Sequence, residues 1–115
     1  MMTIETTEEL LELLASERAI LYKHSTRCGL STSALLHVED FAEKFPAAEV
    51  YMINVIQNRA VSGEAEERLG VRHETPQVIF VEGGQAMRHA SHRRVTFEAL
   101  SAWWSGEKEA PSARN

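Results

Sequence analysis

Cysteine is nearly absent from this chain of 115 residues, which contains only Cys28. A single cysteine cannot form an internal disulfide, and this excludes the disulfide-built scaffolds that are common among small secreted proteins. A domain of this length buries enough apolar surface to fold without disulfides or a structural metal. Because thiols stay reduced in the cytoplasm, we expect a cytoplasmic location.

An excess of positive charge is missing as well. The net charge is −5, and an acidic chain without a basic stripe is a poor partner for nucleic acid. No apolar run approaches the roughly 20 residues that a membrane helix requires. The first residues, Met1 to Glu5, lack the basic and apolar regions of a signal peptide. We therefore expect neither nucleic acid nor a membrane as a partner.

The composition that remains is typical of one globular domain, with 43% hydrophobic and 25% charged residues. Charged and small residues dominate the C-terminal segment, which also contains Pro111. Such a segment buries too little apolar surface to fold. We predict a domain over residues 1–106 and a flexible tail over residues 107–115.

Helical and strand patterns alternate along the domain. The predicted elements, in order, are a helix after the capping box Thr6 to Glu9, a strand over 19–24, a helix from about Cys28 that Pro46 ends, a strand over 49–55, a helix from Asn58 or Ser62 to Gly70, a strand over 77–81, a strand over 85–89 after the turn Gly83-Gly84, and a helix after Thr96. A βαβ unit followed by a ββα unit is the thioredoxin arrangement. The sequence thus predicts an α/β, thioredoxin-like fold with a central four-stranded mixed sheet flanked by helices.

Cys28 lies where a predicted strand has ended and a helix begins. The unpaired N–H groups of a helix N-terminus, and its partial charge of about +0.5, stabilise a thiolate, and Arg27 adds a positive charge. Gly29 allows the backbone of a partner to come close. Ser31 occupies the place of the second, resolving cysteine in thioredoxin and glutaredoxin relatives, and its hydroxyl can donate a hydrogen bond to the thiolate. The pattern predicts a nucleophile that works by monothiol exchange, although a lone cysteine is often an inert buried residue.

A proline at the start of the third predicted strand supplies a second signal. In thioredoxin-like folds a cis proline at this place faces the active cysteine, and the residue before it offers backbone hydrogen bonds to a bound thiol peptide. We therefore expect a cis bond between Thr75 and Pro76, opposite Cys28. The candidate site has Cys28 as its catalytic residue and the following residues as its thiol- and substrate-binding residues: Thr26, Arg27, Gly29, Ser31, Thr75 and Pro76.

Several segments match a known family in order and with matching gaps: residues 23–28, 29–31, 55–62, 69–78 and 89–92. Over residues 5–104 the chain resembles the YtxJ-type bacillithiol-system proteins, the monothiol bacilliredoxins. The resemblance implies a thioredoxin-like oxidoreductase that removes bacillithiol from S-bacillithiolated protein substrates, with Cys28 as nucleophile and Pro76 as its companion. It also implies bacillithiol as the small-thiol co-substrate, with no bound cofactor and no metal.

The chain departs from that family at two places. Gly29 stands where the family often has proline after the cysteine, and Arg93-Arg94 stands where it tends to have Trp-Asp. The first change affects the start of the helix and the reduction potential of Cys28. The second alters any partner surface that the family shares there.

Two other functions remain open. The segment Cys28-Gly29-Leu30-Ser31 also resembles the Cys-Gly-Phe-Ser of monothiol glutaredoxins that carry iron–sulfur clusters, but the Gly-Gly-x-Asp segment after the hairpin is missing. A non-catalytic adaptor that uses Trp103-Trp104 is the other alternative. Five histidines invite a metal hypothesis, yet His89-x-x-His92 is their one compact pair, and we predict that they are solvated or hydrogen-bonded.

Overall fold

The computed structural model describes residues 1–106, so the predicted tail lies outside the described residues. The secondary-structure elements, in chain order, are β1 (Met2–Thr3), α1 (Thr7–Ala15), β2 (Arg18–His24), α2 (Gly29–Lys44), β3 (Val50–Asn54), α3 (Arg59–Leu69), β4 (Gln77–Glu82), β5 (Gln85–Ser91), a 3₁₀ turn (His92–Arg94) and α4 (Phe97–Ser105). None of these helices is long and apolar enough to span a membrane.

The sheet has the strand order β1-β3-β2-β4-β5. The central pair β2 and β3 is parallel, whereas β4 runs antiparallel to both β2 and β5. The predicted mixed sheet is confirmed, but its predicted count of four strands was wrong because β1 pairs in parallel with the outer edge of β3. This two-residue strand is held by its neighbour Ile4, which is fully buried and donates its N–H to Met52 O at 2.8 Å. Two residues are too few to show a strand period in the sequence.

Both faces of the sheet are covered, and β2 shows why its sequence is continuously apolar. Ala19 and Leu21 face the core that α1 and α3 complete, whereas Ile20 and Tyr22 face the core under α2 and α4. A strand that is buried on both sides reads as an apolar run without alternation. Strand β3 follows the same rule, so Val50, Tyr51 and Ile53 are all buried.

The predicted start and stop signals lie at the helix and strand ends. Thr6 and Glu9 form the reciprocal capping box of α1, and Asn58, rather than Ser62, is the N-cap of α3. Gly70 ends α3 in the left-handed conformation, with φ +67°. Gly83 and Gly84 both have positive φ in the two-residue turn that joins β4 to β5, as a type I′ hairpin requires.

The strand register brings two separate loops to one edge of the sheet. Lys23, near the end of β2, pairs with Gln77 at the start of antiparallel β4. The chain that leaves β2 leads directly to Cys28, and the chain that enters β4 contains Thr75 and Pro76. The fold therefore brings the two predicted parts of the site to the same edge.

Candidate active site

Cys28 is the N-cap residue of α2 and is partly exposed. Its backbone is extended, with φ −115° and ψ 120°, and its carbonyl accepts the first helical hydrogen bond from Ser31 N at 3.0 Å. Its side chain makes no capping hydrogen bond. Cys28 therefore lies at the positive end of the helix, and its side chain does not cap that end.

Two serines hold the loop between β2 and α2 in shape. The Ser25 carbonyl accepts from Cys28 N at 3.2 Å, and the Ser25 hydroxyl accepts from Arg27 N at 3.3 Å. Ser31 is fully buried, and its hydroxyl oxygen accepts from Ser25 N at 3.2 Å. Ser31 thus supports the loop that carries the thiol. The spacing of Ser31 from Cys28 did not indicate this hydrogen bond to Ser25. Donation from Ser31 to the thiolate stays a prediction.

The other predicted residues of this loop lie at the surface. Thr26, Arg27 and Gly29 are exposed beside the partly exposed Cys28. A Cβ atom added at Gly29 would meet nothing within 4 Å. The structure therefore leaves room for a Cβ atom at the position where the resembling family often has proline.

The Thr75–Pro76 peptide bond is cis, as the sequence predicts. Pro76 is buried, Thr75 is partly buried, and the Pro76 carbonyl accepts from His92 N at 2.8 Å. This bond ties the 3₁₀ turn that contains Arg93 to the proline loop. The strand register places the proline loop at the same edge of the sheet as Cys28. Direct contact between Pro76 and Cys28 stays a prediction.

A tyrosine and a histidine lie under the start of α2, and the sequence analysis did not assign them to the site. Tyr22 Oη donates to Ser31 O at 3.0 Å and lies 2.8 Å from His24 Nδ1. Because a carbonyl can only accept, the tyrosine proton goes to Ser31 and His24 Nδ1 donates to the tyrosine oxygen. Burial lowers the pKa of His24, which favours this neutral form with a free lone pair on Nε2. Burial likewise raises the pKa of Tyr22. The polar tip of Tyr22 within an apolar run was the signal in the sequence.

A second polar group lies on the opposite face of β2. Lys23 is fully buried, and its Nζ lies 3.1 Å from His73 Nδ1. Burial is the main cause that lowers the pKa of Lys23, whereas the charge of Glu66 opposes this shift. Burial, and then the charge of Lys23, lower the pKa of His73. The sequence signal was a lysine inside a strand predicted to be buried, since lysines are almost never fully buried without a partner.

The histidines do not gather around a common point. His37 Nδ1 accepts from Phe97 N at 2.9 Å, while His24 and His73 have the partners described above. Across residues 1–106 the structure contains no group of three or more histidine, cysteine, aspartate or glutamate side chains that could hold a metal ion.

A comparison with protein families favours one of the alternatives that the sequence left open. Residues 1–100 match the family model described as monothiol bacilliredoxin BrxC. The chain belongs to the monothiol bacilliredoxin family. It is therefore a thiol–disulfide oxidoreductase of the monothiol type, as the resemblance implied.

Solved structures confirm the thioredoxin-like fold. A protein described as a candidate oxidoreductase with a thioredoxin fold is 20% identical with a TM-score of 0.81, and the match covers 87% of this chain and 89% of that chain. Mitochondrial thioredoxin 3 from Saccharomyces cerevisiae is 14% identical with a TM-score of 0.74, over 92% and 94%. Thioredoxin from Fasciola hepatica is 19% identical with a TM-score of 0.72, over 94% and 100%.

Proposed function

We propose that Cys28 removes bacillithiol from S-bacillithiolated proteins and carries it in turn as a mixed disulfide. One observation carries the proposal: the only thiol of a bacilliredoxin is partly exposed at the N-cap of α2, with no capping bond of its own. The positive end of the helix interacts favourably with negative charge that develops at this position during exchange. The family supplies the identity of the small thiol.

The proposed cycle has two thiol–disulfide exchanges. The Cys28 thiolate attacks the bacillithiol sulfur of the modified protein, so a new S–S bond forms as the S–S bond to the target breaks. The target leaves as a thiolate and takes up a proton. A thiolate from solution, either free bacillithiol or a reductase, then attacks the mixed disulfide and releases Cys28 in its reduced form. Because the chain has no second cysteine, an outside thiol must complete the cycle.

The surrounding residues have supporting roles in this proposal. Ser31 supports the loop and donates to the thiolate, while Arg27 adds positive charge beside it. Thr26 and Gly29 border the sulfur on its exposed side. Thr75 and Pro76 offer backbone groups to the bound disulfide. We place this activity in the cytoplasm and in residues 1–106, without the tail.

Transfer of the adduct between proteins tests the proposal. The wild-type chain, mixed with an S-bacillithiolated protein, should gain the mass of bacillithiol while the target thiol becomes free. Cys28→Ser should abolish both changes. An unmoved bacillithiol adduct, combined with rapid clearance of a glutathione adduct, would contradict the assignment and favour a glutaredoxin-like protein. If neither adduct moves, the cluster-carrier or adaptor function takes its place, and a brown colour after anaerobic purification distinguishes the carrier.

A further inference from the structure

A cleft of about 470 Å³ lies beside the candidate active site. Ser25, from the loop that carries Cys28, and Thr75, from the proline loop, both line it. The far wall comes from α3 and from the loop before β4, with Arg59, Ser62, Glu66 and His73. This volume is in the range of small-ligand sites. The cleft is thus continuous with both loops that the proposed reaction uses.

Arg59 and Glu66 are the two oppositely charged side chains that line the cleft. Arg59 makes no hydrogen bond or salt bridge with residues 1–106, so its guanidinium is free to bind a ligand. Guanidinium groups match carboxylates because they can donate two parallel hydrogen bonds. The first turn of α3 contains no acidic residue, and its N-cap Asn58 makes no side-chain capping bond. The first turn of α3 therefore offers no carboxylate of its own.

The acidic residue of the cleft already has a partner. Glu66 Oε2 accepts from His73 N at 2.6 Å, which anchors the loop that forms one wall. Behind that wall, the buried ammonium of Lys23 contacts His73 Nδ1, which also lies 3.4 Å from the Ser62 hydroxyl. Burying a lysine without a carboxylate in direct contact is costly. A bound anion would supply a second negative charge near it, in addition to that of Glu66.

We propose that this cleft binds the carboxylate-bearing end of the small thiol, with Arg59 as its main anchor. The inference rests on the proposed function, because Cys28 must hold the small thiol once the target has left. Bacillithiol carries carboxylates on its malate group, and glutathione carries them at both ends. The shared chemistry is therefore a carboxylate, and the two thiols are separate arms of the test.

Rates of transfer from one peptide test Arg59 as a substrate-binding residue. The peptide cysteine is modified with bacillithiol, with glutathione or with cysteamine, which has no carboxylate. Arg59→Gln should slow transfer from the bacillithiol adduct by about tenfold, since a hydrogen bond to a charged group is worth that much or more. The cysteamine rate should stay unchanged. A loss confined to the glutathione arm would assign the cleft to glutathione.

Arg68→Gln is the matched control, because Arg68 is an exposed arginine of the same helix that pairs with Glu64 at 3.1 Å outside the cleft. It should leave all three rates unchanged. Equal loss in all three arms for Arg59→Gln, or no loss in any, overturns the proposal.

Binding without exchange separates this inference from the proposed function. S-methyl bacillithiol cannot form a disulfide, and it can be titrated into the full-length Cys28→Ser chain while amide NMR shifts are followed. Shifts at Ser62, Gly63 and His73 that Arg59→Gln removes support the cleft, even if transfer by the wild type fails. Absence of shifts there contradicts the cleft, even if transfer succeeds.

Discussion

Helices α1 and α2 both begin after a residue in extended backbone conformation, Thr6 in one and Cys28 in the other. Thr6 accepts a hydrogen bond from Glu9 N at 3.2 Å, while Glu9 Oε1 accepts from Thr6 N at 3.1 Å. The first turn of α1 contains Glu8 and Glu9, whereas that of α2 contains no acidic residue. The N–H groups of α1 are used to stabilise the fold. Those of α2 receive no side-chain cap and lie beside a thiol, at a cost in helix stability.

Replacing Cys28 by a residue that caps helices well should have the largest effect on this difference between α1 and α2. Cys28→Ser should abolish thiol transfer and, at the same time, stabilise the chain by up to about 1 kcal/mol, because serine is a favoured N-cap residue. The free energy of unfolding from urea titrations, measured beside the transfer rate, checks both effects. A mutant that loses stability would show that the thiol itself stabilises the start of α2.

Removing the internal support of the loop should have the next largest effect. Ser31→Ala leaves the N–H of buried Ser25 without its acceptor, which costs about 1–3 kcal/mol of stability. Transfer should slow but persist, because Cys28 remains. Urea titration and the transfer rate at a temperature where the mutant is folded test this. Complete loss of transfer in the folded mutant would mean that Ser31 has a direct chemical role.

Thr6→Ala should have the opposite effects to Cys28→Ser, since it should lower stability and leave transfer intact. It removes the capping box of α1 and should cost about 1 kcal/mol, while transfer stays unchanged because α1 contributes no residue to the site. Thermal unfolding and the transfer assay measure the two quantities. A slower transfer rate in the folded mutant would show that the two helix starts are coupled.

Gly29→Ala should give the smallest change. The added methyl group meets open space and the φ of Gly29 is not positive, so alanine fits without strain. Replacing glycine at such a position stabilises a protein by about 0.4–1 kcal/mol, mainly by reducing the freedom of the unfolded chain. An unchanged or lower urea midpoint would indicate that the chain needs the freedom of glycine at the start of α2.

Capping and turn residues, together with the pattern of apolar residues, were enough to predict most of the fold. Thr6, Gly70 and the Gly83-Gly84 turn act through local hydrogen bonds or positive φ, so each marks an element end in the sequence itself. Strand β1 and the contacts of Ile4 depend on pairing with β3, which no local pattern encodes.

The site was predictable to the same extent and for the same reason. Cys28 was predicted from its place before a helix, whereas the cis bond before Pro76 was predicted from what thioredoxin-like folds have at this place. The bond from Ser25 N to Ser31, the Tyr22–His24 pair and the contact of Lys23 with His73 join residues across strands and loops. Which of several polar side chains meet there depends on packing, so the cleft at Arg59 became visible only in three dimensions.

The most direct test of the central claim is the intact mass of the wild-type chain after incubation with equal amounts of bacillithiolated and glutathionylated forms of one target protein. We expect one adduct per chain, located on Cys28 by peptide mapping, with the mass of bacillithiol in excess over that of glutathione. An unmodified Cys28, or an adduct that is mainly glutathione, would contradict the proposed function.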